Sequence, residues 1–241
     1  MIRRLVLFGL AATFLGAAPA HALVGATRDG AAHAPHVLMV LAQGAGRAGF
    51  CSGAVIAPNV VLTAAHCVAS AAATRVHFRD AQGTPALLPV RRVTRHPEYR
   101  ADAVASRAKS VDLALVETAD PLPASFSAVA LGAAPTEIGA SVEVAGFGMT
   151  RQGEPASSGQ LRSARLALRA PLSNVLLWLE GAEGVGACTG DSGAPVFSGG
   201  AVVGIVAYAQ AAHGRGCGGL TQAVRVAPYA AWVEGVAKGQ R

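Results

Sequence analysis

Large aromatic side chains are scarce in this chain, and so is charge. Only 5% of its 241 residues are Phe, Trp or Tyr and only 14% are charged, although 52% are hydrophobic. Alanine, valine and leucine must therefore supply most of the apolar surface. That composition excludes an acidic disordered tail and a collagen-like chain, and four cysteines in this length exclude a small disulfide-held mini-protein. The basic residues, 18 Arg among 20, are scattered, with local groups only at Arg91, Arg92, Arg95 and at Arg162, Arg165, Arg169. No aromatics interleave with either group, so both read as solvated strand faces and no nucleic acid is expected as a partner. Beyond the N-terminus no stretch approaches the roughly 18 uninterrupted apolar residues of a membrane span. Internal repeats and long linkers are absent as well.

What is present begins with an export signal. Arg3 and Arg4 precede an almost unbroken apolar run from Leu5 to Ala18, and Ala20-His21-Ala22 forms a small-x-small cleavage site. Residues 1–22 are therefore expected to be removed. The mature chain would keep 219 of the 241 residues, its formal charge falling from +6 to +4 with the loss of Arg3 and Arg4. It would be secreted or periplasmic, without a membrane anchor once the signal is cleaved. All four Cys lie in the exported part, where disulfides persist, and their even number suggests two bridges.

The remaining chain alternates short apolar runs with turn residues, in keeping with 29 Gly and 13 Pro. Ten strand candidates stand out: 37–41, 54–56, 60–63, 75–78, 113–117, 142–145, 161–168, 176–179, 195–197 and 202–207. Such a series describes one large β-barrel or sandwich domain, or two barrels packed together. Ala64 to Ser70 reads as a short helical turn. Pro228 to Lys238 reads as a helix with Tyr229, Trp232, Val233 and Val236 on one face. Arg100 to Ser110 looks like a polar loop.

The chemistry sits in three places: Thr63-Ala64-Ala65-His66-Cys67 after a strand, Asp112 at the opening of another, and Thr189-Gly190-Asp191-Ser192-Gly193 in a glycine-flanked turn. A serine hydroxyl is a poor nucleophile at neutral pH. It needs a base within hydrogen-bond reach and a third group that holds the base in one tautomer. Glycines beside the serine let backbone N–H groups converge on an oxyanion, a contribution of roughly 3 to 4 kcal/mol per donor. Each motif alone is weak, and each has a structural alternative as a core histidine, a strand-edge aspartate or a plain turn.

Taken in order, Leu23-Val24-Gly25-Ala26, Thr63 to Cys67, Asp112 to Leu115, Gly146-Phe147-Gly148-Met149-Thr150 and Gly190-Asp191-Ser192-Gly193 resemble the landmarks of chymotrypsin-like (trypsin-family) serine endopeptidases. The resemblance spans essentially all of the mature chain. It implies an all-β fold of two six-stranded antiparallel β-barrels dividing near residues 120–135, with the active site between them and a C-terminal helix closing the second. It also implies His66 as general base, Asp112 as its orienting carboxylate, Ser192 as nucleophile, and the N–H groups of Gly190 and Ser192 as the oxyanion hole. Four Cys allow three pairings; the family pattern selects Cys51–Cys67 and Cys188–Cys217, each expected to contribute about 3 to 4 kcal/mol. No cofactor or metal is expected. Partners would be peptide or protein substrates and a possible protein inhibitor, with the enzyme a monomer. A silent homologue that only binds proteins in the cleft is the alternative.

Specificity follows from the same register. Gly186 falls where trypsins carry a pocket-floor acid, so an Arg/Lys-binding charge is missing. Ala207-Tyr208-Ala209 matches the substrate-pairing segment, and Ala209 and Thr221 would narrow the pocket. These residues imply a preference for small-to-medium apolar side chains before the scissile bond, the alternative being an acidic preference supplied by His213 or Arg215. Departures from the family pattern are Ala194 for the second Gly after Ser192, Ala207 for a Ser near the Asp of the triad, and Phe147 for a Trp. Only Asp80 lies in the Arg75–Gln82 stretch, so no calcium loop is expected. The alanine- and arginine-rich composition and few disulfides look bacterial.

In this family a freed α-amino group inserts beside the Asp preceding the nucleophile. Here Leu23 follows Ala22 directly, so signal cleavage itself would free the Leu23 amine to pair with Asp191. Mass spectrometry of the exported protein should read Leu23 as its first residue. A start at His21 would overturn this, because two extra residues block insertion of the amine.

Overall fold

Alternating and continuous apolar runs become strands because each buries one or both faces against an aliphatic core. In Thr74–Arg79 the side chains of Thr74, Val76 and Phe78 point inward while Arg75 and Arg79 face solvent. Val60–Thr63 is buried throughout, as expected for a strand covered on both faces. The computed structural model describes residues 23–25, 27–44, 47–106, 108–182, 184–211 and 216–239. The expected signal at 1–22, Ala26 of the first landmark, and His213 and Arg215 lie outside the described residues.

The first barrel comprises β2 (Val37–Gly44), β3 (Arg47–Ala57), β4 (Val60–Thr63), β5 (Thr74–Arg79), β6 (Pro85–Arg95) and β7 (Ala114–Thr118). These strands close antiparallel in the order β2-β3-β4-β7-β6-β5. The second comprises β8 (Ser141–Gly146), β9 (Arg162–Arg169), β10 (Leu176–Glu180), β11 (Pro195–Ser198), β12 (Ala201–Ala211) and β13 (Gly218–Arg225). It runs β9-β10-β13-β12-β11-β8 and closes where β8 pairs with β9. A two-residue strand, β1 (Arg28–Asp29), adds to the outer side of β9. Residues 119–140 connect the barrels. The fold is thus the all-β pair of six-stranded barrels that the resemblance implied.

Among the described residues thirteen strands form where ten stand out in the sequence. Pro85–Arg95 was passed over because only Val90 within it is buried and Arg, Pro and Thr interrupt its pattern. Gly218–Arg225 was hidden by its opening glycines and by Gln222, and β1 is too short to register. The helical turn expected over Ala64 to Ser70 shrinks to a single 3₁₀ turn, Ala65–Cys67. The polar loop at Arg100 to Ser110 contains one helical turn, α1 (Ala103–Ser106).

The C-terminal segment forms a 3₁₀ turn, Ala227–Tyr229, and then helix α2 (Ala230–Ala237). This corrects one detail. The helix does not chiefly close the second barrel but returns to the first, packing beside β7. His96 explains the docking: its ring lies edge-on to Tyr229 at 4.9 Å and to Trp232 at 4.7 Å, and burial lowers its pKa. Aromatic–histidine packing of this kind anchors a short helix that has little propensity to stand alone.

The scarcity of aromatics shows in the cores. The second barrel is filled by Leu23, Val142, Val144, Leu166, Leu168, Leu177, Leu179, Val196, Val203 and Val206, with no buried aromatic among them. In the first barrel and the adjoining interface, Phe78 and Phe197 are the buried aromatic rings within an otherwise aliphatic cluster.

Candidate active site

Strands β4 and β7 are antiparallel neighbours, with Thr63 opposite Ala114. The chain leaves β4 three residues before His66 and enters β7 two residues after Asp112, so both side chains emerge at the same rim of the first barrel. There the His66 ring places Nδ1 2.6 Å from Asp112 Oδ2, and the His66 backbone N–H donates to Asp112 Oδ1 at 2.9 Å. A carboxylate can only accept, so the proton belongs on Nδ1 and Nε2 is left with a free lone pair. The Asp112–imidazole contact survives despite Ala207 standing where the family has a serine.

Ser192 approaches from the second barrel, on the turn leading into β11. Its carbonyl accepts the Ser52 N–H at 2.8 Å, which ties the turn to β3 across the barrel junction. The Ser192 hydroxyl has no hydrogen-bond partner among the described residues. His66 Nε2 lies 3.7 Å from Cys67 Sγ, and a disulfide sulfur has no proton to donate, so that approach is a packing contact only. The structure therefore brings His66 and Asp112 into contact and leaves the third link open, a common state of substrate-free sites.

Both bridges implied by the resemblance form. Cys51–Cys67 ties β3 to the turn bearing His66, and Cys188–Cys217 ties the Ser192 loop to the start of β13. Cys51, Cys67 and His66 bring their ligand atoms within 4.8 Å of one another, a donor set that suits zinc when the sulfurs are thiolates. Here the disulfide consumes both sulfurs, so the set does not fit a metal.

Three successive amides fix the neighbourhood of the turn before Ser192, the second and third by bonding it directly. Phe147 N–H donates to Ser52 Oγ at 3.0 Å, Gly148 N–H to Asp191 Oδ1 at 2.9 Å, and Met149 N–H to the Thr189 carbonyl at 2.8 Å. Asp191 is wholly buried, with its second oxygen accepting Cys188 N–H at 3.0 Å. A Cβ at Gly148 would sit 2.3 Å from Asp191 Oδ2 and one at Gly146 2.4 Å from Oδ1, which is why that landmark carries two glycines. Gly190 adopts φ 98°, the left-handed region that glycine enters without strain. The N–H groups of Gly190 and Ser192 donate to no described residue.

Leu23 is fully buried in the second barrel and Val24 exchanges two backbone hydrogen bonds with Gly186, at 3.1 and 3.2 Å. No hydrogen bond among the described residues joins Leu23 to Asp191. Leu23 has φ 56°, a left-handed conformation that costs a leucine roughly 1 to 3 kcal/mol.

The remaining sequence candidates gather around Gly186. A Cβ there would lie 2.8 Å from the Gly219 carbonyl, so backbone occupies this spot and no side chain fits without displacing it. Buried Thr221 accepts the Ala187 N–H on its hydroxyl at 3.0 Å and stands directly opposite Ala209 across β12 and β13. Ala207 is half-buried and Tyr208 is exposed. Sequence reasoning missed Ser52, whose carbonyl accepts the hydroxyl of Thr63, the first residue of the His66 landmark, at 2.7 Å. Ser52 carries no local signal, since a Ser in a strand ordinarily marks a polar face.

A family model described as Trypsin matches residues 24–233. Trypsin alpha of Drosophila erecta is 27% identical over 69% of this chain and 68% of its own length. Serine protease 1 of Canis lupus familiaris is 27% identical over 77% of this chain and 79% of its own. Among solved structures, human heparin binding protein superposes with a TM-score of 0.74 at 23% identity, covering 91% of this chain and 98% of that one. At that identity the superposition speaks for the fold.

The buried carboxylate has a consequence for stability. Burial pushes the Asp191 pKa from an ordinary 3.8 up to about 7, against the lowering effect of its two N–H donors, Cys188 first and Gly148 second. A carboxyl raised in the folded state favours folding while protonated, so its contribution is complete below about pH 4 and lost as pH rises through about 7. In the uncleaved chain carrying Ser192→Ala, denaturant midpoints should fall across that window. Asp191→Asn should flatten the fall; equal slopes with and without Asp191 would contradict the assignment.

Proposed function

The chain belongs to the trypsin family of serine proteases, and from that premise we propose that it is an exported serine endopeptidase working through an acyl-enzyme. Ser192 is the nucleophile, His66 the general base and Asp112 the carboxylate that holds it. The observation that carries this reading is the 2.6 Å contact between His66 Nδ1 and Asp112 Oδ2 beside the Ser192 turn. Ser192 Oγ adds to the scissile carbonyl as its proton passes to His66 Nε2, and the carbonyl electron pair moves onto oxygen. The Gly190 and Ser192 N–H groups receive that charge. Collapse breaks the C–N bond, and the leaving amine takes the proton from Nε2. Water then repeats the sequence on the ester, releasing the acid and restoring Ser192, while Asp112 stays ionised throughout.

Activation by signal cleavage is part of the same reading. Asp191 is buried with two N–H donors and no cation among its described partners, so an ammonium group from Leu23 would satisfy it. Leu23 supports this from its own side. A first residue has no preceding carbonyl, so cleavage after Ala22 releases the steric conflict that makes φ 56° costly. Secretion or residence in a periplasm, a monomeric state and control by a protein inhibitor belong to this proposal too. A bacterial source rests on composition alone; the relatives named above are insect and mammalian.

The pocket reading is a small-to-medium apolar residue before the scissile bond. Gly186 brings no charge, and Thr221 and Ala209 face each other where depth would be needed. The acidic alternative rests on His213 or Arg215, which lie outside the described residues. A second function reading, a silent cleft that binds proteins, is favoured by one observation, the absence of a hydrogen bond between Ser192 and His66.

A fluorophosphonate probe separates the two readings. Processed wild type should label and Ser192→Ala should not, with His66→Ala lowering kcat on the order of 10⁴-fold or more. Wild type that resists labelling would favour the silent cleft. A peptide library should reveal the small apolar preference, and Thr221→Gly should raise kcat/KM for Leu or Phe relative to Ala by about 10-fold. An unchanged ratio would remove Thr221 from the pocket.

A further inference from the structure

We propose that Ser52 is a positioning residue for the oxyanion-binding amides, an inference that rests on the reading of the site given above. Ser52 is fully buried in β3, on the opposite barrel from the turn it serves. Its hydroxyl donates to the Gly190 carbonyl at 3.0 Å and its backbone N–H to the Ser192 carbonyl at 2.8 Å. One residue thus grips, from behind, the two residues whose N–H groups would face the oxyanion.

The direction of the hydroxyl proton is settled by its neighbour. Phe147 N–H points at Ser52 Oγ and takes up a lone pair, so the single hydroxyl proton is left to bond Gly190. Thr63 fixes the Ser52 backbone in turn by donating to its carbonyl.

Gly190 needs this grip more than any other residue of the turn. A glycine at φ 98° has no side chain to restrict it, and the direction of its N–H is decided by what holds the flanking peptides. The preceding peptide is held through Thr189, whose carbonyl accepts Met149 N–H. The following peptide is held by Ser52 Oγ on its carbonyl and, on its other side, by the Asp191 N–H donating to the Cys188 carbonyl at 3.0 Å. Without the hydroxyl, Phe147 N–H and the buried Gly190 carbonyl both lose their partner, the 190–191 peptide is held on its N–H side alone, and Gly190 gains freedom to rotate toward a new donor. Rotation of that residue turns an oxyanion donor away from its target. The cost should fall on the transition state, where charge develops on oxygen, and leave substrate binding largely untouched.

The test uses processed full-length enzyme, with kcat expressed per active site titrated by a fluorophosphonate. Ser52→Ala should lower kcat about 10-fold or more while KM stays within about 2-fold, a fraction of the loss expected from deleting a donor outright. Affinity for a peptide aldehyde, whose adduct places an oxygen anion at the same spot, should fall in parallel. Ser52→Cys, close in volume but a weak donor, should behave like Ser52→Ala and serves if the alanine variant folds poorly. Ser52→Thr keeps the hydroxyl and should restore most of kcat. A kcat per titrated site within twofold of wild type in both Ser52→Ala and Ser52→Cys, with only the melting temperature lowered, would overturn the proposal. Wild type that neither labels nor hydrolyses peptides would instead overturn the reading of the site, and this proposal with it.

Discussion

The Ser52 N–H donating to the Ser192 carbonyl is the point at which two independently closed barrels become one site. His66 and Asp112 are set by the pairing of β4 with β7 inside the first barrel, and the Ser192 turn is set by β11 and β12 inside the second. Each barrel satisfies its own ladder, so nothing within either one dictates where the other stands. A hydroxyl and an imidazole must meet within about 3 Å to exchange a proton. The register of that meeting is carried by bonds across the junction, and those bonds run from Ser52, midway along β3, to the backbone of the turn. The disulfide Cys51–Cys67 fastens the neighbouring residue to the His66 turn. Residues 51 and 52 therefore tie together both halves of the site.

This arrangement explains what the sequence could and could not reveal. His66, Asp112 and Ser192 sit in short local motifs, each followed or preceded by a recognisable strand, and their order along the chain is legible without coordinates. Strands with buried alternation, such as β5 and β9, are legible for the same reason. Where a strand is half exposed and carries Pro and Arg, as β6 does, periodicity fails because tertiary closure, not burial of its own residues, holds it in the barrel. Ser52 is opaque for a different reason. The two partners of its hydroxyl are 95 and 138 residues away in sequence, and only the closed fold brings Phe147 and Gly190 together there. The placement of α2 on the first barrel is a long-range contact of the same kind, made by His96 with Tyr229 and Trp232.

Small aliphatic cores place a particular demand on the loops. Leucine and valine fill a barrel with little directional preference, and cores with so few rings offer few large rigid bodies for loops to lean on. The rigid elements of this cleft are accordingly polar or covalent. They are two disulfides at the rims, the three consecutive N–H groups of residues 147–149, and the buried Asp191 carboxylate. Glycines at 146 and 148 are the geometric condition for the last of these, since any side chain there would occupy the space of the carboxylate.

Asp191 also shows why such a cleft is better assembled late. A buried carboxylate with two N–H donors pays for its desolvation only in part, and the rise of its pKa to about 7 measures the shortfall. Leu23 carries a second cost, a left-handed backbone at φ 56°. The two costs have opposite chemical remedies that a single event supplies. Under the proposed activation, breaking the 22–23 bond would leave Leu23 with no preceding carbonyl and would create a cation of the kind Asp191 lacks among its described partners. On that proposal the uncut chain holds Asp191 and Leu23 in a mildly destabilised state, and the free energy released by the cut would be available to order the turn that carries Gly190 and Ser192.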